Sequence, residues 1–258
     1  MIDTHAHLTD AEYAENLDSM IKNFKQDDLK YVFTVGFDYE SSKKCVELAN
    51  NYNNVYAVIG VHPDEINSLS TECIEFLKRS ANNAKVIAIG EIGLDYHFNK
   101  ENKEQQKQAF VTQLQLADQC GLPIVIHSRD AVADTLDVLK QNRNLLNNGG
   151  VIHCFNESIE SFNEYKKLGF IVGLGGVITF KNAKNAISLI EHIGFDDFVI
   201  ETDCPYLTPE PLRGKYKNQP KYVKYVLEKI AEIKNVSTNK INECSTINAL
   251  RLFKKVKG

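Results

Sequence analysis

Five short apolar runs, spread over about two hundred residues, each end in residues that can bind a metal ion. They are Met1-Ile2-Asp3-Thr4-His5-Ala6-His7, Val86-Ile87-Ala88-Ile89-Gly90-Glu91, Ile124-Val125-Ile126-His127, Val151-Ile152-His153 and Phe198-Val199-Ile200-Glu201-Thr202-Asp203. An apolar run of this length reads as a parallel strand buried on both faces. A donor just past the C-terminal end of such a strand lies where a (β/α)8 barrel gathers its active site. One such ending carries little weight, but five imply a shared pocket. A chain with this pattern is expected to be a metal-dependent enzyme.

The segments between these runs support the same architecture. Strand-like stretches at 31–36, 55–60 and 170–174 bring the total to eight. Helix-like stretches lie between them, at 40–51, 69–81, 103–120, 131–141, 159–168 and 182–192, with two more near 221–234 and 239–255. Thr9-Asp10-Ala11-Glu12 has the form of a capping box and is expected to open a helix towards Phe24. Gly121 should stop the long fourth helix, with Pro123 starting the next strand. Such alternation with short links implies parallel strands and right-handed crossovers. A doubly wound open sheet would gather ligands at one switch point. Donors here come from strands one, four, five, six and eight, which a closed ring brings together. The expectation is an α/β protein, a TIM (β/α)8 barrel forming a single domain over residues 1–258. That length is ordinary for the barrel.

The net charge of −4 argues against a broad basic surface for duplex nucleic acid. It leaves room for a phosphate substrate, because bound cations reverse the local field of a site. The six cysteines are scattered without a C-x-x-C pair and read as reduced, buried side chains. Cys154 and Cys204 each follow a candidate ligand, and strand alternation would turn them to the opposite face. The start of the sequence has no basic segment followed by an apolar stretch, and no apolar run reaches the roughly 18 residues of a membrane span. A cytoplasmic, monomeric protein with no membrane and no obligate protein partner is therefore expected.

His5 and His7 stand two apart on a strand, so both face one way, with Asp3 beside them. Two imidazoles so placed can hold one divalent ion. Glu91 has two carboxylate oxygens and could bridge two ions, and a buried carboxylate needs a cationic partner. His127 and His153 each end a very apolar run, and neutral imidazole on a metal accounts for both. Asp203 could bind metal, orient a water and take its proton. Glu201, on the same face, reads first as a partner holding a ligand in place and second as an additional ligand. Such a donor set suits Zn, Mn, Fe or Ni, with Mg also compatible, and suffices for two ions sharing Glu91. His62, in Gly60-Val61-His62-Pro63, ends the third strand on the same rim and is a candidate for substrate contact or proton movement. Arg129, in His127-Ser128-Arg129-Asp130, and Arg213, Lys215 and Lys217 of a late loop are candidates to hold a phosphate. His97 and His192 read as a loop residue and a helix-surface residue.

These motifs resemble the TatD family of metal-dependent hydrolases. The resemblance is carried by Asp3-Thr4-His5-Ala6-His7-Leu8, Gly60-Val61-His62-Pro63, Gly90-Glu91-Ile92-Gly93-Leu94-Asp95-Tyr96, His127-Ser128-Arg129-Asp130-Ala131, His153-Cys154-Phe155, Glu201-Thr202-Asp203-Cys204-Pro205-Tyr206-Leu207 and Pro211-Leu212-Arg213-Gly214-Lys215. The blocks keep the family's order and span nearly the whole chain. The resemblance implies a TIM barrel with His5, His7, Glu91, His127, His153 and Asp203 as ligands of a divalent-metal centre. It also implies deoxyribonuclease activity, with single-stranded DNA or DNA ends as substrate. The late loop departs from the family: Tyr216-Lys217-Asn218-Gln219-Pro220 stands where Arg-Asn-Glu-Pro is usual, and Leu212 where His is common. These departures bear on substrate grip and leave the ligands untouched.

The expected reaction is hydrolysis of a DNA phosphodiester by metal-activated water, with Asp203 managing the proton and Arg129, Arg213 and Lys215 positioning phosphates. The alternative is an amidohydrolase-type reaction on a small amide, ester or lactone. A non-catalytic metal- or partner-binding barrel ranks third, because a decayed enzyme would have lost ligands.

Overall fold

In the computed structural model, which describes residues 1–97 and 101–257, eight parallel strands lie side by side in sequence order. They are β1 (Ile2–Ala6), β2 (Tyr31–Val35), β3 (Val55–Ile59), β4 (Val86–Asp95), β5 (Ile124–Arg129), β6 (Gly150–Ile152), β7 (Phe170–Leu174) and β8 (Phe198–Ile200). The helices around them are α1 (Leu17–Asn23), α2 (Tyr39–Asn51), α3 (Thr71–Ser80), α4 (Lys103–Cys120), α5 (Val132–Gln141), α6 (Ile159–Lys167), α7 (Lys184–His192), α8 (Val223–Lys234) and α9 (Thr238–Leu252). This is the (β/α)8 barrel expected from the alternation of elements.

The ring closes between β1 and the segment after β8. The His7 amide donates to the Cys204 carbonyl at 2.8 Å and the Asp203 amide to the His5 carbonyl at 2.9 Å. Beneath them the buried Asp3 carboxylate accepts the Thr202 hydroxyl at 2.6 Å and the Thr202 amide at 2.9 Å. Two of the candidate ligands, His5 and Asp203, therefore sit on the seam itself.

Period-2 alternation explains where the site lies. Phe33, Val35, Tyr56, Val58, Ile87, Val125, Val151 and Val199 form one apolar cluster with Ala249, Phe253 and Val256 from the chain's end. Two residues further along their strands, Val125, Val151 and Val199 give way to His127, His153 and Glu201. The same face is thus apolar at one end and donor-bearing at the C-terminal end. A second, larger apolar cluster includes Val32, Ala57, Ile126 and Ile152 from the strands and Leu77, Phe110, Leu139 and Ile230 from the helices.

Several boundaries differ from the sequence reading. Thr9 opens no helix: the Asp10 carboxylate accepts the Glu12 amide over a single 3-10 turn, Ala11–Tyr13, and α1 begins at Leu17. The Thr9 hydroxyl instead faces the Cys45 sulfur, 3.9 Å away. β4 does not stop at Gly90 but continues to Asp95, and β5 continues to Arg129. Gly93 permits this at φ 143°, where a Cβ would run into the His127 carbonyl. Gly121 does end α4, in the left-handed region at φ 65°. No helix of the described residues is long and apolar enough to cross a membrane.

Candidate metal centre

His5, His7, Glu91, His127, His153 and Asp203 meet at the floor of one cavity of about 1090 Å³ at the C-terminal end of the barrel; all but His5 line its wall. The Glu91 carboxylate stands at the middle. Its Oε2 faces His5 Nε2 at 3.4 Å and His7 Nε2 at 3.8 Å, while its Oε1 faces His127 Nδ1 at 2.8 Å and His153 Nε2 at 2.7 Å. Asp203 Oδ1 completes the first set, 3.3 Å from His7 Nε2 and 3.7 Å from His5 Nε2.

The donor set fits divalent ions. Two donors each about 2.1 Å from one tetrahedral ion stand roughly 3.4 Å apart, and the separations around His5, His7 and Asp203 scatter about that value. Both ring nitrogens of the fully buried His5 lack a hydrogen-bond partner, as does His153 Nδ1. His7 Nδ1 lies 3.0 Å from the Val35 carbonyl, so Nδ1 carries a proton, and Nε2 faces two carboxylates; burial opposes a second proton there, but Asp203 and Glu91 raise the imidazole above its ordinary value. Ring nitrogens facing carboxylate oxygens in a dry pocket need positive charge between them, a proton in the empty site or a divalent ion in the loaded one.

The second set is held differently. His127 Nε2 donates to Asp95 Oδ2 at 2.9 Å, which directs its Nδ1 at Glu91. Glu201 lies behind His153, its Oε1 3.5 Å from Nδ1 and accepting the Cys154 amide at 2.5 Å. Gly173 on β7 makes room for this carboxylate, since a Cβ there would run into it.

The charges reinforce one another. Burial works to raise the Glu91 carboxyl, but His153 and His127 hold it well below the usual range. Burial opposes protonation of His153, yet Glu91 and Glu201 lift it well above the ordinary imidazole value. His5 is pushed down by burial and by His153, whose ring stacks on it at 4.1 Å. Burial and the neighbouring His127 push His62 down to about 3, so it stays neutral. Its Nδ1 accepts the Asp64 amide at 3.1 Å, leaving the proton on Nε2, which points towards Glu91 Oε1 3.8 Å away.

The candidate substrate residues are dispersed. Arg129 lies exposed on the wall of the metal cavity. Arg213 stacks its guanidinium on Phe180, 3.7 Å from the ring centroid, in an adjoining cleft. Lys215 is exposed on the turn closed by its amide and the Leu212 carbonyl, and is not part of the metal cavity's wall. Lys217 pairs with Glu12. His97 bonds Asp130 across the rim at 3.0 Å, and His192 ends α7 against Phe162.

Cys154 does not turn to the far face as alternation implied. β6 ends at Ile152, and Cys154 takes a left-handed conformation, φ 50°, that returns its side chain to the cavity beside His153 and Glu201. Asp203 is also left-handed, at φ 55°. Non-glycine residues so placed store on the order of 1 kcal/mol or more each and cluster at functional sites. Cys204 points away from the cavity, buried near Thr202 and Tyr13. Sequence reasoning gave no role to Asp95, to Glu157 on the cavity wall, or to Tyr206, which is 53% exposed with its ring edge-on to His7. The signal for Asp95 was its even spacing from Glu91 along one strand face.

Residues 2–254 match the family model described as TatD related DNase. An uncharacterized metal-dependent hydrolase, YabD, of Bacillus subtilis is 42% identical over 254 residues, covering 98% of this chain and 99% of its own. The 3′-5′ ssDNA/RNA exonuclease TatD of Cronobacter sakazakii is 30% identical over 259 residues, covering 99% and 98%. Among solved structures, YjjV, a TatD homolog from Escherichia coli, superposes with a TM-score of 0.92 at 27% identity over 98% of both chains.

Proposed function

The chain belongs to the TatD related DNase family of metal-dependent hydrolases, and from that premise we propose that it hydrolyses phosphodiester bonds at the ends of single-stranded DNA or RNA. The observation that carries this reading is the division of Glu91, whose two oxygens face two separate donor sets. One carboxylate shared in this way suits a pair of divalent ions, and paired ions suit in-line displacement at phosphorus. When bound, they supply an acidified water and a counter-charge for the phosphoryl oxygens.

The chain's own residues take the remaining roles in this reading. Asp203, on the cavity wall beside His7, orients the attacking water and accepts its proton. His62, fixed with its proton on Nε2, donates a hydrogen bond to a substrate oxygen while remaining neutral. Arg129 positions a phosphate from the wall. Tyr206 offers a ring at the lip on which a base stacks, which favours an unpaired strand over a duplex. The exonuclease name of the Cronobacter relative points to the same substrate class.

Cleavage of 3′-labelled and 5′-labelled single strands with Mg, Mn or Zn, with EDTA, and beside Asp203→Asn tests this reading. Metal-dependent laddering from one end, lost in the variant, is the expected result. No cleavage by protein shown to carry metal would overturn it. One observation favours a second reading: Asp64, Glu65 and Asp130 make one side of the cavity acidic, which suits hydrolysis of a small neutral or cationic amide or ester.

A further inference from the structure

A second cleft, of about 670 Å³, opens beside the metal cavity and shares Asn156 and Val177 with it. Its walls come from three neighbouring loops of the same barrel face: Asn156 after β6, the stretch from Val177 to Asn185 after β7, and Glu210 and Arg213 after β8. Lys181, Lys184 and Arg213 line it, against Glu210 as the one carboxylate in its wall. All three cations are exposed, and among the described residues none lies within ion-pair distance of a carboxylate. Arg213 is braced on the Phe180 ring rather than extended into solvent. In a chain of net charge −4, such a concentration of unneutralised positive charge stands out.

The two sides of the metal cavity differ in sign. The side built after β3 presents Asp64 and Glu65, and the side built after β7 and β8 leads to the three cations. A polyanion with one phosphate at the metal donors is repelled on the first side and drawn towards the second. Resting on the nucleic-acid reading above, we propose that this cleft is a second phosphate subsite, in which Lys181, Lys184 and Arg213 hold the backbone of a single strand one or more nucleotides from the bond being cut. Interactions of this kind fix position and carry no base information, because every nucleotide offers the same phosphate. The Asn156 side chain, exposed where the cleft meets the metal cavity, adds an amide at the point the backbone must cross.

The test compares Lys181→Gln/Lys184→Gln with Lys25→Gln/Lys254→Gln. The second pair removes two exposed charges just past the C-terminal ends of α1 and α9, away from the barrel face that holds the site. Binding of a fluorescein-labelled single-stranded octanucleotide with phosphorothioate linkages is measured on metal-loaded protein over a range of salt. Turnover of bis(4-nitrophenyl) phosphate, too short to reach the cleft, is measured alongside. The Lys181/Lys184 variant should bind the strand about ten-fold or more weakly, with the log–log salt slope shallower by about 0.7 for each phosphate that is no longer neutralised. Both variants should turn over the small diester as wild type does. Equal strand binding by the two variants, an equal loss on the small diester, or no strand binding by wild type would each overturn the subsite. Strand binding that depends on Lys181 and Lys184 in a protein that cleaves neither substrate would keep the subsite and discard the phosphodiesterase reading.

Discussion

The two halves of the donor cluster are built on different principles. His5, His7 and Asp203 sit where the barrel closes, and their positions follow from backbone hydrogen bonds across the seam. His127 and His153 stand on strand β5 and just past β6, the first held by a hydrogen bond to Asp95 and the second backed by the Glu201 carboxylate 3.5 Å from Nδ1. In the first half the donor atoms stand 3.3–3.8 Å apart, with no hydrogen bond to His5 Nε2. In the second, His153 Nε2 stands at ion-pair distance from Glu91 Oε1, 2.7 Å, and His127 Nδ1 hydrogen-bonds the same oxygen at 2.8 Å. The first half is thus organised by the fold and pre-spaced for a cation. The second is organised by side chains, and its hydrogen bonds must open before it can hold one. Disrupting the first half should therefore disturb the fold, and disrupting the second should disturb only the metal.

Glu91 is the one residue both halves share, so its replacement should have the largest effect. Glu91→Gln removes the charge that faces all four histidines of the candidate ligand set, and activity should fall on the order of 10³-fold or more. Metal content measured by plasma mass spectrometry should fall for both sites together. Retention of one full equivalent would mean that the halves are more independent than a shared carboxylate implies. Asp3→Ala comes next and bears on the fold. It leaves the Thr202 amide buried without an acceptor and the Thr202 hydroxyl with only the longer contact to the His5 carbonyl, 3.5 Å, at about 1–3 kcal/mol for each bond lost. Urea unfolding of the metal-free variant should show a loss of about 3 kcal/mol. Wild-type stability would mean that Asp3 does not hold the seam.

The fold was largely legible because parallel strands buried on both faces read as unbroken apolar runs, and the six candidate ligands, which the fold brings to one cavity, could be picked out because they end those runs. The features that stay hidden in the sequence lie where the backbone departs from that simple pattern. Gly90 after an apolar run looks like a stop, yet β4 passes through it, and Gly93 lets the strand continue against β5 to reach Asp95. Alternation misplaces Cys154 because it does not hold past the end of β6, where the chain enters a left-handed turn that nothing in a non-glycine sequence announces. Thr9 and Glu12 satisfy a capping pattern, but Asp10 supplies the cap to a shorter turn.

Glu157 lies on the wall near the second half, four residues past His153, and gives that side its own dependence on pH. Its carboxyl oxygens are buried without a hydrogen bond, although the Ser128 and Tyr165 hydroxyls face them. Burial raises its pKa from 4.5 to about 7. The folded chain then holds this proton more tightly than the unfolded chain. The stability so contributed is full below pH 4.5 and is lost as pH rises through about 7. A shift of this size corresponds to about 3 kcal/mol across that window. Glu157→Gln should abolish this decline, so that the variant becomes the more stable protein above pH 7. Parallel urea titrations from pH 4 to pH 8 measure the difference, and curves that stay parallel would rule the effect out.

Asp95→Asn should give the smallest change and the sharpest separation of the halves. Asp95 uses Oδ1 to accept the His97 amide at 2.8 Å and Oδ2 to accept from His127 Nε2. An asparagine that keeps the His97 bond must turn its NH2 towards His127. Nε2 then becomes the acceptor and the ring's one proton is fixed on Nδ1, the nitrogen that faces Glu91, where it must leave before an ion can bind. Outer partners of this kind are typically worth about 10–100-fold in metal affinity. Competition titration with a chromophoric chelator should show one ion weakened by that factor and the other unchanged. The metal-free protein should melt as wild type does, because no backbone bond of the seam has been touched. Two ions weakened alike would mean that Glu91 transmits the change across the cluster, and the division into a fold-set half and a side-chain-set half would not hold.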